Sequence, residues 1–243
     1  MQFQRKLSRG LQVLGSYTMA HSINNSTSNF TLSELLRASL DYDIRHNFQL
    51  ALTYDLPSWR GSGFTSYALS HWSVDLRTTA RSALPVDVFS DYSVTNLTGT
   101  IVSYHPNRLV DQPLYVGGDG TPGGRAINFK AFKPAYEADG TTLAEGNAGR
   151  NSARGFDTVQ QDIALRRDFP FTERVGMQFR IEALNQLNHS IMGSVNNYLS
   201  YVATGVNPFG VAINTLNGRL GGLNSLYQAG GPRSLQAALK LHF

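Results

Sequence analysis

The chain has 243 residues, of which 41% are hydrophobic and 16% are charged, and it contains no cysteine. The lack of cysteine excludes a disulfide scaffold, a thiolate zinc site and a cysteine nucleophile, and the net charge of +4, spread along the chain without a basic block, predicts no nucleic-acid partner. Apolar runs reach only about four residues, which excludes membrane-spanning helices because these need about 20.

Alternation of apolar and polar residues predicts seven strands. In the last of them, Leu235, Leu239 and Leu241 fall on one face, whereas Gln236 and Lys240 fall on the other. In chain order the predicted strands are 2–7, 11–19, 47–56, 72–77, 159–166, 174–183 and 234–243. The pattern therefore predicts an all-β fold. Helical periodicity is weak except at 32–39, which we interpret as a loop or a single helical turn.

The connections between these strands alternate strictly between short and long. Turns at 8–10, 57–63 and 170–173 are short, and connections at about 23–43, 89–153 and 190–231 are long. In an antiparallel meander each strand reverses direction. The sequence therefore predicts that the short turns gather at one end of the sheet and the long loops at the other.

Alternation alone does not say which face of the sheet meets water. A soluble β-sandwich buries its apolar face, whereas a transmembrane barrel turns that face to lipid and encloses a polar interior. Long strands, long loops gathered at one end and a chain that stops on Phe243 favour the barrel. A polar interior would also explain charges in mid-strand, such as Asp162 and Arg166. We predict an antiparallel meander that forms a partial transmembrane β-barrel with long extracellular loops.

Several segments, in this order, carry a resemblance to a known family. They are LQV at 11–13, SYT at 16–18, HSI at 21–23, DIRHNF at 43–48, GRNSARGF at 149–156, DIALRRDF at 162–169, FRIEALNQLNH at 179–189 and the closing GPRSLQ at 231–236 with LHF at 241–243. Together they resemble the C-terminal barrel of Oar-like TonB-dependent outer-membrane receptors, which carry a carboxypeptidase-regulatory-like domain at their N-terminus. The resemblance covers essentially the whole chain.

The resemblance implies a receptor with a plug, a TonB-contacting segment and a barrel of 22 strands, located in the bacterial outer membrane. Residues 1–243 correspond to about the last third of that barrel, so we expect the plug and the earlier strands to lie outside this sequence. The implied function is uptake of a solute, with wall and loops supplied by this chain. The implied partners are outer-membrane lipid, the barrel-assembly machinery, the remaining parts of the receptor and, through the plug, TonB.

Two other functions remain open from the sequence. A small complete barrel, acting as a porin or an adhesin, would need an eighth strand, which 94–102 could barely supply. A soluble carbohydrate-binding β-sandwich would place the apolar stripes in its core, including Tyr17, Tyr54 and Trp72. In a barrel these aromatic residues would lie at the membrane interfaces.

Candidate functional residues follow from the polar face and from the C-terminus. Arg77 and Arg81, like Arg180 and Glu182, share that face and could line the lumen and contact a solute, although a structural role is the stronger interpretation. The C-terminal residues Leu235, Leu239, Leu241 and Phe243 resemble the signal read by the assembly machinery. The connection 89–153 is the expected ligand-facing element, and its glycine-rich part, 117–124, is interpreted as a flexible loop.

The sequence gives little support for catalysis or for a cofactor. The six histidines lack the spacing of metal ligands, and no Gly-x-Ser-x-Gly elbow occurs. The glycine-rich stretch lacks the Lys-Ser/Thr of a phosphate-binding loop. We therefore expect no enzymatic activity, no metal and no cofactor.

Overall fold

A computed structural model describes residues 2–6, 10–25, 37–58, 61, 63–90, 93–95, 101–199, 208–219 and 230–243. Its main element is one seven-stranded antiparallel sheet in which every pair of neighbours is consecutive along the meander. The strands are β1 Gln2–Lys6, β2 Leu11–Met19, β3 His46–Asp55, β4 Trp72–Arg81, β5 Thr158–Pro170, β6 Gly176–Leu184 and β7 Ser234–His242. All seven predicted strands are therefore confirmed, and residue 7 of the first prediction lies outside the described residues.

The register of the sheet places like residues side by side. One row across six strands contains only apolar residues, namely Leu11, Tyr54, Val74, Leu165, Ile181 and Ala237. The next row, on the opposite face, is polar apart from one alanine, and consists of Gln12, Thr53, Asp75, Ala164, Glu182 and Gln236. Because side chains alternate between the faces of a strand, a slip of one residue would mix these rows.

The apolar face of the sheet is open. Leu165, Ile181 and Leu239 are 39%, 41% and 61% exposed, so no second layer covers them in the part of the chain that the structure describes. A β-sandwich would bury these side chains between two sheets. Within the same residues β1 and β7 each pair with one strand only, and the sheet is not closed.

The two ends of the sheet differ as expected. Short connections join β1 to β2, β3 to β4 and β5 to β6, and the long ones lie at the other end. One short connection contains a helix that the sequence pattern did not reveal, α1 Phe64–Leu69. This helix lies against the sheet, since the Trp72 indole N–H donates to the carbonyl of Ala68 at 3.0 Å.

The described parts of the three long connections, within 20–45, 82–157 and 185–233, pack together, and we call them the loop cap. Its paired short strands are Ile23–Asn25 with Arg37–Ser39, Pro85–Val86 with Ala153–Arg154, Phe89–Ser90 with Tyr198–Leu199, Ser93–Thr95 with Ile101–Ser103, Asn107–Arg108 with Phe132–Lys133, and Tyr115–Gly117 with Arg125–Ile127. Short helical elements are Pro122–Gly124, Phe129–Ala131 and α2 Leu216–Arg219.

The hydrophobic core of the described chain lies in this cap and not in the sheet. Its buried cluster consists of Val88, Ile127, Ala131, Phe132, Ala153, Val195, Leu199 and Phe209. Long connections of an ordinary surface type could not bury so many apolar side chains. The cap is a packed layer at one end of the sheet.

Two expectations about the connections are corrected, and a third concerns a hairpin turn. Residues 37–39 form a strand paired with 23–25, where we expected a loop or helical turn, and 32–36 lie outside the described residues. The segments 93–95 and 101–103 pair with each other outside the main sheet, so they supply no eighth barrel strand. The glycine-rich stretch 117–124, interpreted as a flexible loop, forms the turn of a hairpin between Tyr115–Gly117 and Arg125–Ile127. A Cβ on Gly123 would lie 2.5 Å from the Phe156 ring, which fixes this turn by close packing.

None of the helices among the described residues has the length and apolar character needed to span a membrane.

Candidate functional site

The polar face of the sheet carries a chain of ion pairs across four strands. Asp75 on β4 lies at its centre, and its Oδ2 is 3.2 Å from Arg166 Nε on β5 and 3.4 Å from Arg180 Nη1 on β6. Arg180 Nε in turn contacts Glu182 Oε1, and Arg166 Nη2 lies 3.9 Å from Asp55 on β3. The predicted partners Arg180 and Glu182 are thus in contact, but both belong to an ion-pair chain within the sheet.

Arg77 and Arg81 lie apart from this chain of ion pairs, toward the loop cap. Arg81 Nε donates to the Thr158 hydroxyl at 3.2 Å. Arg77 stands across from Asp162 in the register, and within the described ranges it makes no ion pair. The four predicted residues therefore do not form one site.

A cavity of about 390 Å³ opens where the polar face meets the loop cap. Of the four predicted residues, Arg81 alone lines it. Its remaining polar lining includes Asp41, Asp87, Asn151, Ser194 and Asn197, and its apolar lining includes Phe89, Phe156, Met192 and Val195. Carboxylates, amides and aromatic rings around one space give both hydrogen-bonding groups and apolar contact surface, as small-molecule sites do.

A buried histidine fixes one wall of this cavity. His105 is 2% exposed, and its Nε2 lies 2.9 Å from Asp87 Oδ1 while its Nδ1 contacts Glu145. Burial by itself lowers the pKa of His105, but the two carboxylates outweigh it and raise the pKa to about 9. The imidazolium therefore links 87, 105 and 145 at neutral pH and orients the Asp87 carboxylate.

A second buried charge cluster joins the loop cap to the start of β3. Asp43 is fully buried, and it accepts hydrogen bonds from the Ser22 N–H at 2.8 Å, Arg45 Nε at 2.6 Å and Arg154 Nη2 at 2.5 Å. Burial raises the pKa of Asp43, yet these hydrogen bonds more than offset burial and hold the pKa well below its usual range. This carboxylate clamps the connection at 20–45 onto the one at 82–157.

The family of the chain follows from comparison with known proteins. Residues 1–236 match the outer membrane beta barrel domain. The chain belongs to this family. No curated protein and no solved structure matches it. An outer membrane beta barrel domain is located in the bacterial outer membrane, and the alternative of a soluble sandwich is therefore wrong.

Membership of this barrel family gives the two faces of the sheet their surroundings. The exposed apolar face is the lipid-facing side of the barrel wall, and the polar face, with its ion pairs, is the interior side. The predicted C-terminal residues Leu235, Leu239, Leu241 and Phe243 are all more than half exposed. They lie on and after β7, an edge strand of this sheet.

Sequence reasoning missed most of the residues that shape the cavity of this barrel domain. Asp87, His105 and Glu145 are separated by 18 and 40 positions, so no local spacing indicates that they meet. The sequence did give a weak indication that Asp43, Arg45 and Arg154 matter, since they lie in segments that carried the family resemblance. Within the described ranges, no three His, Asp or Glu side chains form a group that could hold a metal ion.

Proposed function

We propose that this chain supplies wall strands and extracellular loops of a TonB-dependent receptor that takes up a solute across the outer membrane. In this proposal the chain carries no catalytic activity of its own. Its partners are membrane lipid, the barrel-assembly machinery, the other strands and plug of the receptor, and TonB through the plug. Residues 1–243 then form a C-terminal segment of the receptor barrel.

The open sheet supports a large barrel over a small one. In hydrocarbon every backbone N–H and C=O needs an internal partner, so a membrane sheet must close. The seven described strands leave the outer edges of β1 and β7 unpaired, and 93–95 with 101–103 do not extend the sheet. In this proposal further strands complete the wall, and the open sheet supports a large barrel of the plugged-transporter type over a small porin or adhesin.

The loop cap supports a receptor over an open pore. Its buried core and its two charge clusters hold a cavity at the end of the interior face. A general diffusion pore needs no packed structure with a shaped cavity at its mouth, whereas a receptor needs one to recognise its solute. We assign Arg81 to solute contact, and we assign Arg180 and Glu182 to bracing the wall.

The C-terminal assignment also belongs to this proposal. Leu235, Leu239 and Leu241 present exposed apolar side chains on one face of β7, and Phe243 follows at the short-turn end. We assign these four residues to recognition by the barrel-assembly machinery. Their exposure leaves them accessible to it before the strand meets lipid.

Energy-dependent uptake tests the proposal. A strain that lacks the gene is compared with the same strain carrying it, each with and without TonB, and solutes lost from the medium are measured by mass spectrometry. We expect a solute that is depleted only when both the gene and TonB are present. Arg81→Gln should slow this depletion, while Arg77→Gln, outside the cavity, serves as its control.

Other outcomes separate the alternatives. Depletion that depends on the gene but not on TonB would indicate a porin. Gene-dependent attachment of cells to surfaces, without depletion of any solute, would indicate an adhesin. Either result would contradict the receptor.

A further inference from the structure

A charged residue, Arg167, lies on the lipid-facing side of the wall. Arg167 on β5 lies in a row with Trp72 on β4 and Phe179 on β6, and Leu239 follows on β7. Its neighbours in this row are all apolar. A charge on the lipid face of a barrel is destabilising near the bilayer midplane and tolerated near the interfaces, so the depth of Arg167 decides what it can contact.

Arg167 lies near the short-turn end of the sheet. It stands three residues before Pro170, where β5 ends. At about 3.3 Å per residue and a strand tilt of about 40°, three residues correspond to about 8 Å of membrane depth. Arg167 is therefore nearer the interface than the bilayer midplane, in the leaflet at that rim, which is the periplasmic one for short turns. A long arginine side chain can reach the headgroup level from there.

Three aromatic rings surround the guanidinium group. The distance from Arg167 Cζ to the ring centre is 4.3 Å for Phe169, 5.2 Å for Tyr67 and 5.4 Å for Trp72. One Nη2 hydrogen bond goes to the Tyr67 carbonyl in α1. The rings and this bond hold the guanidinium group at one place on the outer surface, where a free arginine would sample many positions.

The guanidinium group keeps donors for an external anion. Arginine has five N–H donors in a planar fork that matches phosphate oxygens. The Nε of Arg167 is buried without a partner among the described residues, so the donors left for an external anion are those of the two Nη nitrogens. Among the described residues, no carboxylate lies within ion-pair distance of Arg167, and its hydrogen bonding there is limited to the one carbonyl. At headgroup depth on a lipid-facing surface, the anions available to it are the phosphates of phospholipids.

Helix α1 extends this surface with apolar side chains. Phe64, Tyr67 and Leu69 are each more than half exposed, and Phe64 reaches 82%. Phe171, in the turn after β5, is also exposed. In water these exposed apolar side chains would favour aggregation. Next to a headgroup site they would contact the upper part of the acyl chains.

We propose that Arg167, Tyr67, Trp72 and Phe169 form a binding site for the phosphate group of a phospholipid in the leaflet at the short-turn rim. The rings orient the guanidinium group, which donates to the phosphate oxygens, while α1 packs on the acyl chains. The site requires only the membrane position of the barrel wall and would exist whether or not the protein transports a solute.

Quenching of tryptophan fluorescence by brominated lipid tests the site. The chain has two tryptophans, so Trp59→Phe leaves Trp72 as the reporter next to Arg167. The closed barrel that contains this chain, with any tryptophan outside residues 1–243 replaced by phenylalanine, is inserted into vesicles of digalactosyldiacylglycerol, a phosphate-free lipid. Brominated phosphatidylglycerol and brominated digalactosyldiacylglycerol with the same acyl chains are then titrated separately. We expect about five-fold tighter association of the phosphate lipid with the Trp72 site.

Variants identify the group responsible. Arg167→Gln should reduce the preference to about one, and Arg167→Lys, which keeps the charge without the fork, should leave an intermediate value. Arg174→Gln removes an exposed charge from the neighbouring turn and should leave the preference unchanged. Insertion of each variant is checked by heat-modifiable migration on a gel.

Two results would overturn the proposal. The first is equal association of the two lipids with the protein that retains Arg167. The second is a loss in Arg174→Gln as large as that in Arg167→Gln, because general rim charge would then explain the preference. If Arg167→Gln does not insert, the test depends on Arg174→Gln. This variant should keep the full preference for the phosphate lipid, and a loss of that preference would overturn the proposal.

Discussion

The seven-stranded sheet and the loop cap handle apolar residues in different ways. The sheet arranges them in rows on one face and leaves that face open, whereas the cap collects them into a closed cluster around Ile127, Phe132 and Phe209. Lipid is the remaining partner of the open face of the sheet, whereas the described core of the cap is buried by its own side chains. One chain therefore contains a region whose stability depends on the membrane and a region that is stabilised by ordinary burial.

Charges differ between the two regions in the same way. On the sheet, Arg166 and Arg180 both form ion pairs with Asp75, and all three side chains remain partly exposed toward the interior of the barrel. In the cap, Asp43 and His105 are buried and fully bonded. Removing one member of an ion pair should therefore reduce stability only slightly in the sheet and more in the cap. A buried charge that loses its partner cannot be solvated by water in its place.

The largest expected effect is loss of packing in the cap. Phe132 is 3% exposed and packs edge-on against Phe209 at a centroid distance of 5.9 Å. Phe132→Ala should cost about 3–5 kcal/mol of cap stability, measured by hydrogen exchange of amides at 125–133. Val110→Ala, at a cap residue that is 92% exposed, is the control and should change stability by less than about 0.5 kcal/mol. Equal effects would show that the cap core is not formed.

A charge placed on the lipid face distinguishes the faces of the sheet. Leu165→Arg in the central apolar row should reduce the stability of the inserted barrel by about 2–4 kcal/mol, because the guanidinium group would face hydrocarbon. Gln178→Arg adds the same charge on the opposite face, where Asp168 can accept from it, and should be tolerated. Unfolding in urea from vesicles measures both. A larger cost for Gln178→Arg would reverse the assigned orientation.

The cap should lose stability at alkaline pH. The pKa of His105 rises from an ordinary 6.5 to about 9 in the folded cap. Its contribution is therefore complete below about pH 6.5, at most about 3 kcal/mol, and is lost as pH increases through about 9. Limited proteolysis of the cap between pH 6 and 10 should show this decline, and His105→Gln should flatten it. A cap equally resistant across that range would contradict the charged His105 cluster.

The smallest effect is expected from the ion pairs of the sheet. Arg180→Gln removes contacts with Asp75 and Glu182, but Arg166 still neutralises Asp75. The loss should be about 0.5–1 kcal/mol, measured by urea unfolding of the inserted protein, and Arg180→Lys should restore part of it. A loss above about 3 kcal/mol would mean that these charges are buried like those of the cap.

The seven strands could be predicted because alternation with a period of two is a local property of the sequence. Strand β7 illustrates this, since Leu235, Leu239 and Leu241 already define its outer face without any knowledge of its neighbours. Helix α1 could not be found in the same way. It has six residues, fewer than two full turns, and it is held by Trp72 and Arg167 from other elements.

The candidate site was only partly predictable. Arg81, Arg180 and Glu182 were identified by their shared polar face, but the face alone does not show that Arg81 reaches the cavity while Arg180 pairs within the wall. Arg167 escaped attention because it occupies an apolar position of the alternation, and its significance depends on rings contributed by three different elements.

The sequence by itself determined the number, order and two-faced character of the strands, and the placement of long loops at one end. These follow from side-chain periodicity and chain reversal, which act over short distances. Tertiary structure alone decided that the long connections pack into a cap with a cavity, because that cap is held by contacts such as Asp87 with His105 and Asp43 with Arg154, between residues 18 and 111 positions apart. Such pairings depend on the whole fold bringing them together, and no local pattern encodes them.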